Sequence, residues 1–297
     1  MVKILWVTAA VLAAVIGVAV VTAVVATAVW DRATGEVRTS LVEEAQPPAS
    51  AANATPGAPT ADAGAPPEGD SLPSVVARYL ERALPPGGPP ILTATLEQEG
   101  LFQMSEGEAG WRPFTAVQTV RAYPPGFLWD ADIRMAPFLP VRVRDGYDRG
   151  RGTMKAAVAA VMVMVDAEPT RELAEGALYR YLAEAVWIPT RLLPGEGLTW
   201  QAVDDSTALA TLRDSELSVS VEFRFDAAGD VTSIFVPERG RDDGGGSVPT
   251  PWLGRFWGHA DVDGFRVPLE GEVAWVMNGE PVPYWRGRIT RVEYATP

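Results

Sequence analysis

The sequence predicts an α+β fold: a curved antiparallel β-sheet, half-open like an incomplete barrel, wrapped around a central helix and preceded by one N-terminal transmembrane helix. Three observations lead there. From Ile91 onward, apolar residues recur largely at every second position, in short runs separated by turn signals. One helical pattern interrupts those runs in mid-chain. An uncharged stretch of 27 residues, Ile4 to Trp30, opens the chain. About ten to twelve antiparallel strands around a single interior helix indicate a meander rather than a doubly wound sheet. A complete barrel with no inserted helix is the alternative.

The N-terminal stretch is dominated by Val and Ala and would reach about 40 Å as a helix, against a hydrocarbon core of about 30 Å. Trp6 and Trp30 stand near its two ends, where indole rings favour the membrane interface. Residues 1–31 therefore read as an uncleaved signal-anchor. The competing reading is a cleaved signal peptide, for which Ala26-Thr27-Ala28 offers an A-x-A site. Lys3 favours an inside N-terminus, while Arg32 and Arg38 flank the other end. A short stub before one span places the bulk of the chain outside, as an extracytoplasmic domain on the cell membrane.

Residues 32–70 read as a flexible Ala/Pro-rich linker. Within 45–69 stand nine Ala, six Pro and three Gly, with no Val, Ile, Leu, Met or aromatic residue. Such a segment cannot bury enough apolar surface to offset the entropy of ordering it. It predicts a tether between bilayer and domain, the domain itself spanning 71–297.

That domain opens with a helix over Leu72–Leu84, stopped by Pro85-Pro86-Gly87-Gly88. Strands follow at Leu92–Leu96, Phe114–Ala122, Phe127–Met135, Val141–Tyr147 and Gly152–Val165, with Pro124-Pro125-Gly126 and Asp145-Gly146 as turn signals. The interrupting helix begins at Pro169 or Thr170 and ends near Val186, Pro189 forbidding much continuation. It carries one apolar stripe (Ala174, Leu178, Tyr181, Leu182, Ala185) and a second face (Leu173, Ala177, Arg180, Glu184, Trp187), so it is expected to be covered on two sides. Seven more strands run from Leu198 to Tyr294. The cleanest alternation is Val219, Val221, Phe223 and Phe225.

Composition excludes several functions. The chain has 25 Lys+Arg against 38 Asp+Glu, a net charge of −13, and 71–297 alone carries 22 basic against 31 acidic residues. Nucleic acid is not an expected partner, because phosphate neutralisation needs a basic face. Direct attraction to anionic headgroups is disfavoured for the same reason. With no cysteine and one histidine there are no disulfides, no Cys nucleophile and no multi-His or Cys metal site. No cofactor motif is present. Gly150-Arg151-Gly152-Thr153-Met154-Lys155 lacks phosphate-loop spacing and reads as a turn between strands. His259 sits on an alternating strand and reads as structural.

Carboxylates are the abundant acid–base material, but Asp130/Asp132, Asp145/Asp148, Asp204/Asp205 and Asp261/Asp263 mostly sit beside turn signals, where Asp caps backbone groups. More distinctive are Arg180 and Glu184, four apart on a helix face shared with Trp187. Buried charges pair, and they mark a site where a cavity adjoins. Eight of the ten tryptophans lie in 71–297, and a concave sheet lined with aromatics can hold an apolar ligand. The candidate ligand-binding residues are accordingly Arg180, Glu184, Trp187, Tyr181 and Trp129, with no catalytic residue among them.

Several runs carry a resemblance. Glu99-Gly100-Leu101-Phe102, Trp111-Arg112-Pro113-Phe114-Thr115-Ala116, Gly126-Phe127-Leu128-Trp129, Asp145-Gly146-Tyr147, Arg180-Tyr181-Leu182-Ala183-Glu184 and Tyr284-Trp285-Arg286 together resemble a bacterial family of unknown function, over essentially all of 71–297. The strand–helix–strand order is also similar, at fold level, to the half-open barrel of LolA- and LolB-type lipoprotein carriers. That similarity is one of fold alone; the aromatic-rich curved sheet beside an anchored, tethered topology predicts an apolar or lipid-like ligand, or a lipidated protein, held in a half-barrel cavity. A structural or protein-interaction module of the cell envelope is the alternative. A carboxylate-dependent hydrolase, needing two acids converging in a cleft, is the third reading.

Overall fold

The computed structural model describes residues 2–48, 72–105, 107–136 and 139–297. One arm of the sheet meanders outward through β1 (Thr93–Gln103), β2 (Trp111–Arg121), β3 (Gly126–Ala136), β4 (Leu139–Asp148), β5 (Arg151–Val158) and β6 (Met162–Asp166). The other arm is β7 (Leu198–Asp204), β8 (Thr207–Asp214), β9 (Leu217–Phe225), β10 (Val231–Asp242), β11 (Ser247–Val262), β12 (Phe265–Met277) and β13 (Glu280–Ala295). It works back inward until β13 pairs with β1, which closes a single antiparallel sheet of 13 strands with β6 and β7 at its two ends.

Among the described residues three α-helices accompany the sheet: α1 (Val2–Glu43), α2 (Ser74–Ala83) and α3 (Arg171–Ala183). α3 carries the chain from β6 to β7 and packs on β4 and β5 of one arm and on β9 and β10 of the other. Thr170 caps it, its side chain accepting from the Leu173 amide, and 3₁₀ turns over Glu184–Trp187 and Pro189–Leu192 continue it. The apolar stripe Ala174, Leu178, Tyr181, Leu182 and Ala185 is fully buried. The predicted half-open sheet around a central helix is the fold observed.

Gly152 shows how tightly α3 is seated. A Cβ there would stand 2.7 Å from the backbone of Leu173 and Ala174, so only glycine lets the first turn of α3 lie on β5.

Three local expectations need correction. The Gly152–Val165 stretch is two strands, because Ala159 and Ala160 adopt positive φ and turn the chain. Asp145-Gly146 is no turn: both residues lie inside β4, paired with Met154 and Thr153 on one side and Trp129 and Leu128 on the other. Residues 32–43, expected as the start of the linker, instead continue α1 unbroken to Glu43. The Ala/Pro-rich segment 49–71 lies outside the described residues.

The last turns of α1 lie on the sheet. Trp30, Thr34 and Leu41 are buried at helical spacing. The Trp30 indole donates to Asp130 at 3.2 Å and lies beneath Arg144, 4.3 Å from ring centre to guanidinium. Arg142 pairs with Asp31 at 2.6 Å, Arg38 with Asp130 at 3.3 Å, and Glu44 with Arg149 and Arg121. Trp30 is thus a docking residue, satisfied by protein partners, rather than a free ring at a membrane interface.

Candidate functional site

Alternation along β2–β4 sorts side chains onto two faces. Asp130 and Arg144 point to α1, while their chain neighbours Trp129 and Asp145 point to α3. Between α3 and the inner face of the sheet lies a hollow of about 350 Å³. Its walls are apolar: Phe102, Ile133, Val143, Ala156, Phe256 and Val273, with four tryptophans, Trp129, Trp187, Trp252 and Trp285. Met164 and Val165 of β6 line it as well. Aromatic contacts hold the wall in shape, with Phe114 against Trp129 at 5.8 Å and Trp187 edge-on to Phe256 at 6.2 Å.

A chain of polar groups crosses this apolar lining. Arg180 donates through Nε to Glu184 at 2.7 Å and through Nη1 to Asp145 at 2.6 Å. Its guanidinium also lies 5.0 Å over the ring of Trp129. Gln118 donates to Glu184 at 2.6 Å, Gln98 donates to Gln118 at 2.8 Å, and the Trp129 indole donates to Gln98 at 2.9 Å. Burial alone would push the Arg180 guanidinium down, but the carboxylates of Glu184 and Asp145 outweigh it and hold its pKa above the ordinary value. The cation is permanent. On the facing arm, Arg239 stacks 4.2 Å over Trp252 and donates to the Gly176 carbonyl at 2.8 Å, while its buried Nε has no hydrogen-bond partner among the described residues.

Of the five residues expected at a site, Arg180, Glu184, Trp187 and Trp129 line the hollow together. Tyr181 does not. Its hydroxyl turns the other way, donating to the Ala122 carbonyl at 2.7 Å, and its ring belongs to the core. Gln98, Gln118 and Arg239 were not anticipated, and Asp145 was weighed only with Asp148, as a carboxylate beside a turn signal. The inward phase of Gln118 with Ala116 and Val120 was a readable signal for one of them.

The other carboxylate pairs disperse. Asp130 and Asp132 face α1, bound by Arg38 and Arg142. Asp204 caps Ser206 at the β7–β8 turn, and Asp263 holds a positive φ at the β11–β12 turn. Of the carboxylates that line the hollow, Asp145 and Glu184 meet at Arg180, which occupies the space between them, while Glu272 is paired with Arg255 and Arg286. His259 accompanies the Val231 carbonyl at 3.0 Å on β11, away from the hollow.

Fold and site together define a half-open antiparallel barrel with an internal apolar hollow and a buried ionic group on its helix. The chain belongs to a family of unknown function, DUF6920, whose profile matches residues 70–294. No curated protein matches the sequence. Among solved structures it is similar to a LolA superfamily protein from Nitrosomonas europaea, at 10% identity over 75% of this chain and 93% of that one, with a TM-score of 0.37. It is similar also to a putative outer membrane lipoprotein-sorting protein domain from Vibrio parahaemolyticus, at 8% identity over 76% and 92%, TM-score 0.40. A third is a β-barrel-like protein of a different domain of unknown function, DUF1849, from Brucella abortus, at 9% identity over 70% and 100%, TM-score 0.22.

Proposed function

We propose that this protein is anchored in the cell membrane by α1, with residues 72–297 on the extracytoplasmic side, and that its hollow holds an apolar, lipid-like ligand such as a single acyl chain. The observation that carries the reading is the hollow itself. A volume of about 350 Å³ lies within the usual range of small-ligand sites, and a packed domain of this size does not leave such a space lined by four tryptophans without cost. Arg180, Glu184 and Trp187 form its helix-side wall and face Trp129 on β3, and Arg239 offers a cation to a polar ligand end. The apolar part of α1, with a mean hydropathy of 2.6 and no burial over its most apolar stretch, supports the anchor.

The test uses the full chain in detergent, titrated with a fatty acid brominated along its chain. Bromine quenches indole on contact, so occupancy should quench the cavity tryptophans saturably. Ala156→Phe, which projects a ring into the hollow, should abolish the saturable component while leaving the thermal melt in place. Quenching that is linear in ligand, or unchanged by Ala156→Phe, would sink the reading.

The envelope interaction module keeps one observation in its favour: β6 is an end strand whose apolar side chains are exposed. It predicts no saturable quenching and a partner that protects β6 from hydrogen exchange.

A further inference from the structure

We infer that the end of the sheet from which α1 projects is seated in the membrane surface, and that the hollow opens there to take its ligand from the bilayer. The inference rests on the reading of α1 as a membrane span given above. It names the partner of this face as the lipid leaflet from which α1 emerges.

The first observation is direction. Contacts along α1 run in order: Glu44 with Arg149, Leu41 against Gly126, Arg38 with Asp130, Asp31 with Arg142. In the sheet, Gly126 pairs with Asp148, Asp130 with Arg144, and Ala136 with Leu139. Traced toward its N-terminus, α1 therefore runs along β3 to the β3–β4 hairpin end. The β1–β2 and β5–β6 hairpins close at that same end, through Gln103 with Trp111 and Val158 with Met162.

The second observation is length. Cover on α1 fades at Ala23, Ala26 and Thr27, which are half-buried, and residues 10–22 are exposed. The apolar helix left over, Ile4 to Thr22, is about 28 Å long, close to the roughly 30 Å of a hydrocarbon core. The bilayer consumes that length, so no slack remains to lift the domain clear. Past α1 the chain stays on the domain, the Gln46 amide donating to the Tyr123 carbonyl and Pro48 lining one cleft with Leu80.

The third observation is the surface presented. Leu101, Met135, Leu139 and the run 161–165 are exposed and gather at this end, Met162 at 61%. The run 161–165 alone leaves five consecutive apolar side chains exposed along the end strand, more than a soluble domain usually leaves to water. Met164 and Val165 belong to this edge and to the wall of the hollow at once. An acidic domain would not be drawn to anionic headgroups; here α1 delivers it, and the contact is made by the apolar β3–β6 part of this end rather than by the charged β10–β11 and β12–β13 hairpins, which close at the same end.

The chain has no cysteine, so single cysteines can be labelled in the full-length protein. Leu139→Cys and Met162→Cys report the edge, Val203→Cys an exposed apolar position on the other arm, and Val15→Cys the span. Each carries an environment-sensitive fluorophore in phosphatidylcholine vesicles containing a nitroxide-bearing lipid. We expect Val15, Leu139 and Met162 to be quenched by the lipid nitroxide several-fold more than Val203. If Val15 is quenched and the edge is no more so than Val203, the seating is wrong while the span stands. If Val15 is not quenched, the span reading fails and takes this inference with it. Edge labels shielded from water but untouched by the lipid quencher would instead mark β6 as a contact between two copies, and would also overturn the proposal.

Discussion

Arg180 on α3 donates to Asp145 on β4 at 2.6 Å while holding Glu184 of its own helix at 2.7 Å, so one guanidinium ties the interior helix to the sheet across the hollow. Removing it leaves two carboxylates in a largely dry wall, the costly way to break a buried ionic group. Arg180→Met should destabilise the fold by about 3 kcal/mol in urea unfolding. Arg180→Lys should recover only part of this, since one ammonium cannot reproduce the guanidinium fork. A loss below about 1 kcal/mol would mean the group is solvated rather than structural.

How much of this group the sequence disclosed depends on spacing. Arg180, Glu184 and Trp187 fall at helical intervals within one element, so their shared face could be read directly. Trp129 entered through aromatic density. Asp145 escaped because Asp-Gly inside a run of alternating residues has the signature of a turn, and only the pairing of β3, β4 and β5 reveals that Gly146 is there for close strand contact: a Cβ would lie 3.0 Å from the Phe127 carbonyl. Arg239 joins from the other arm, and no local pattern announces a contact between strands on opposite arms. The docking of α1 was hidden for a different reason. A tryptophan at the end of an apolar span has the same appearance whether it meets headgroups or an acidic side chain a hundred residues away.

That docking can be tested through Trp30. Trp30→Ala removes the hydrogen bond to Asp130, the stacking under Arg144 and most of the buried surface of the contact. Hydrogen exchange across 30–46 should rise by at least an order of magnitude, while β8 and β9, which do not touch α1, stay protected. Equal exchange in wild type and variant would show that the ion pairs of Arg142 and Arg38 suffice to hold the helix.

Acid should weaken the fold in two separable steps. His259 sits beside the Val231 carbonyl, and burial pushes its pKa below the usual 6.5 against the pull of Asp230; Arg266 and Asp226 also face it. Folding therefore disfavours its protonation, so its contribution is intact above pH 6.5 and falls as pH drops through and below that value. Asp230 behaves differently. Burial would raise it, but hydrogen bonds from Arg266 and Arg82 hold its carboxyl below the ordinary 3.8, so its contribution is lost only below that pH. Thermal melts between about pH 7.5 and 5.5 should show a decline that His259→Gln removes. A decline that persists in His259→Gln would assign it to other groups.

The seat of α3 depends on a missing Cβ. At Gly152 a methyl group would lie 2.7 Å from the amide of Ala174 and the carbonyl of Leu173, and both are backbone atoms of the capped first turn, which cannot yield as a side chain would. Gly152→Ala should therefore lift the N-terminal turn of α3 from β5 and cost about 1–3 kcal/mol, the range for overpacking. Gly35→Ala provides the contrast: it lies in α1 with nothing within 4 Å of its new methyl, and should raise helix stability by about 0.5–1 kcal/mol through backbone entropy alone. Because Met154 and Ala156 continue β5 into the wall of the hollow, the strain at Gly152 should also loosen that wall, and saturable quenching by a brominated acyl chain should weaken with it. If the Gly152 variant unfolds at the wild-type urea midpoint, α3 is free to slide on the sheet, and the hollow it encloses has no fixed width.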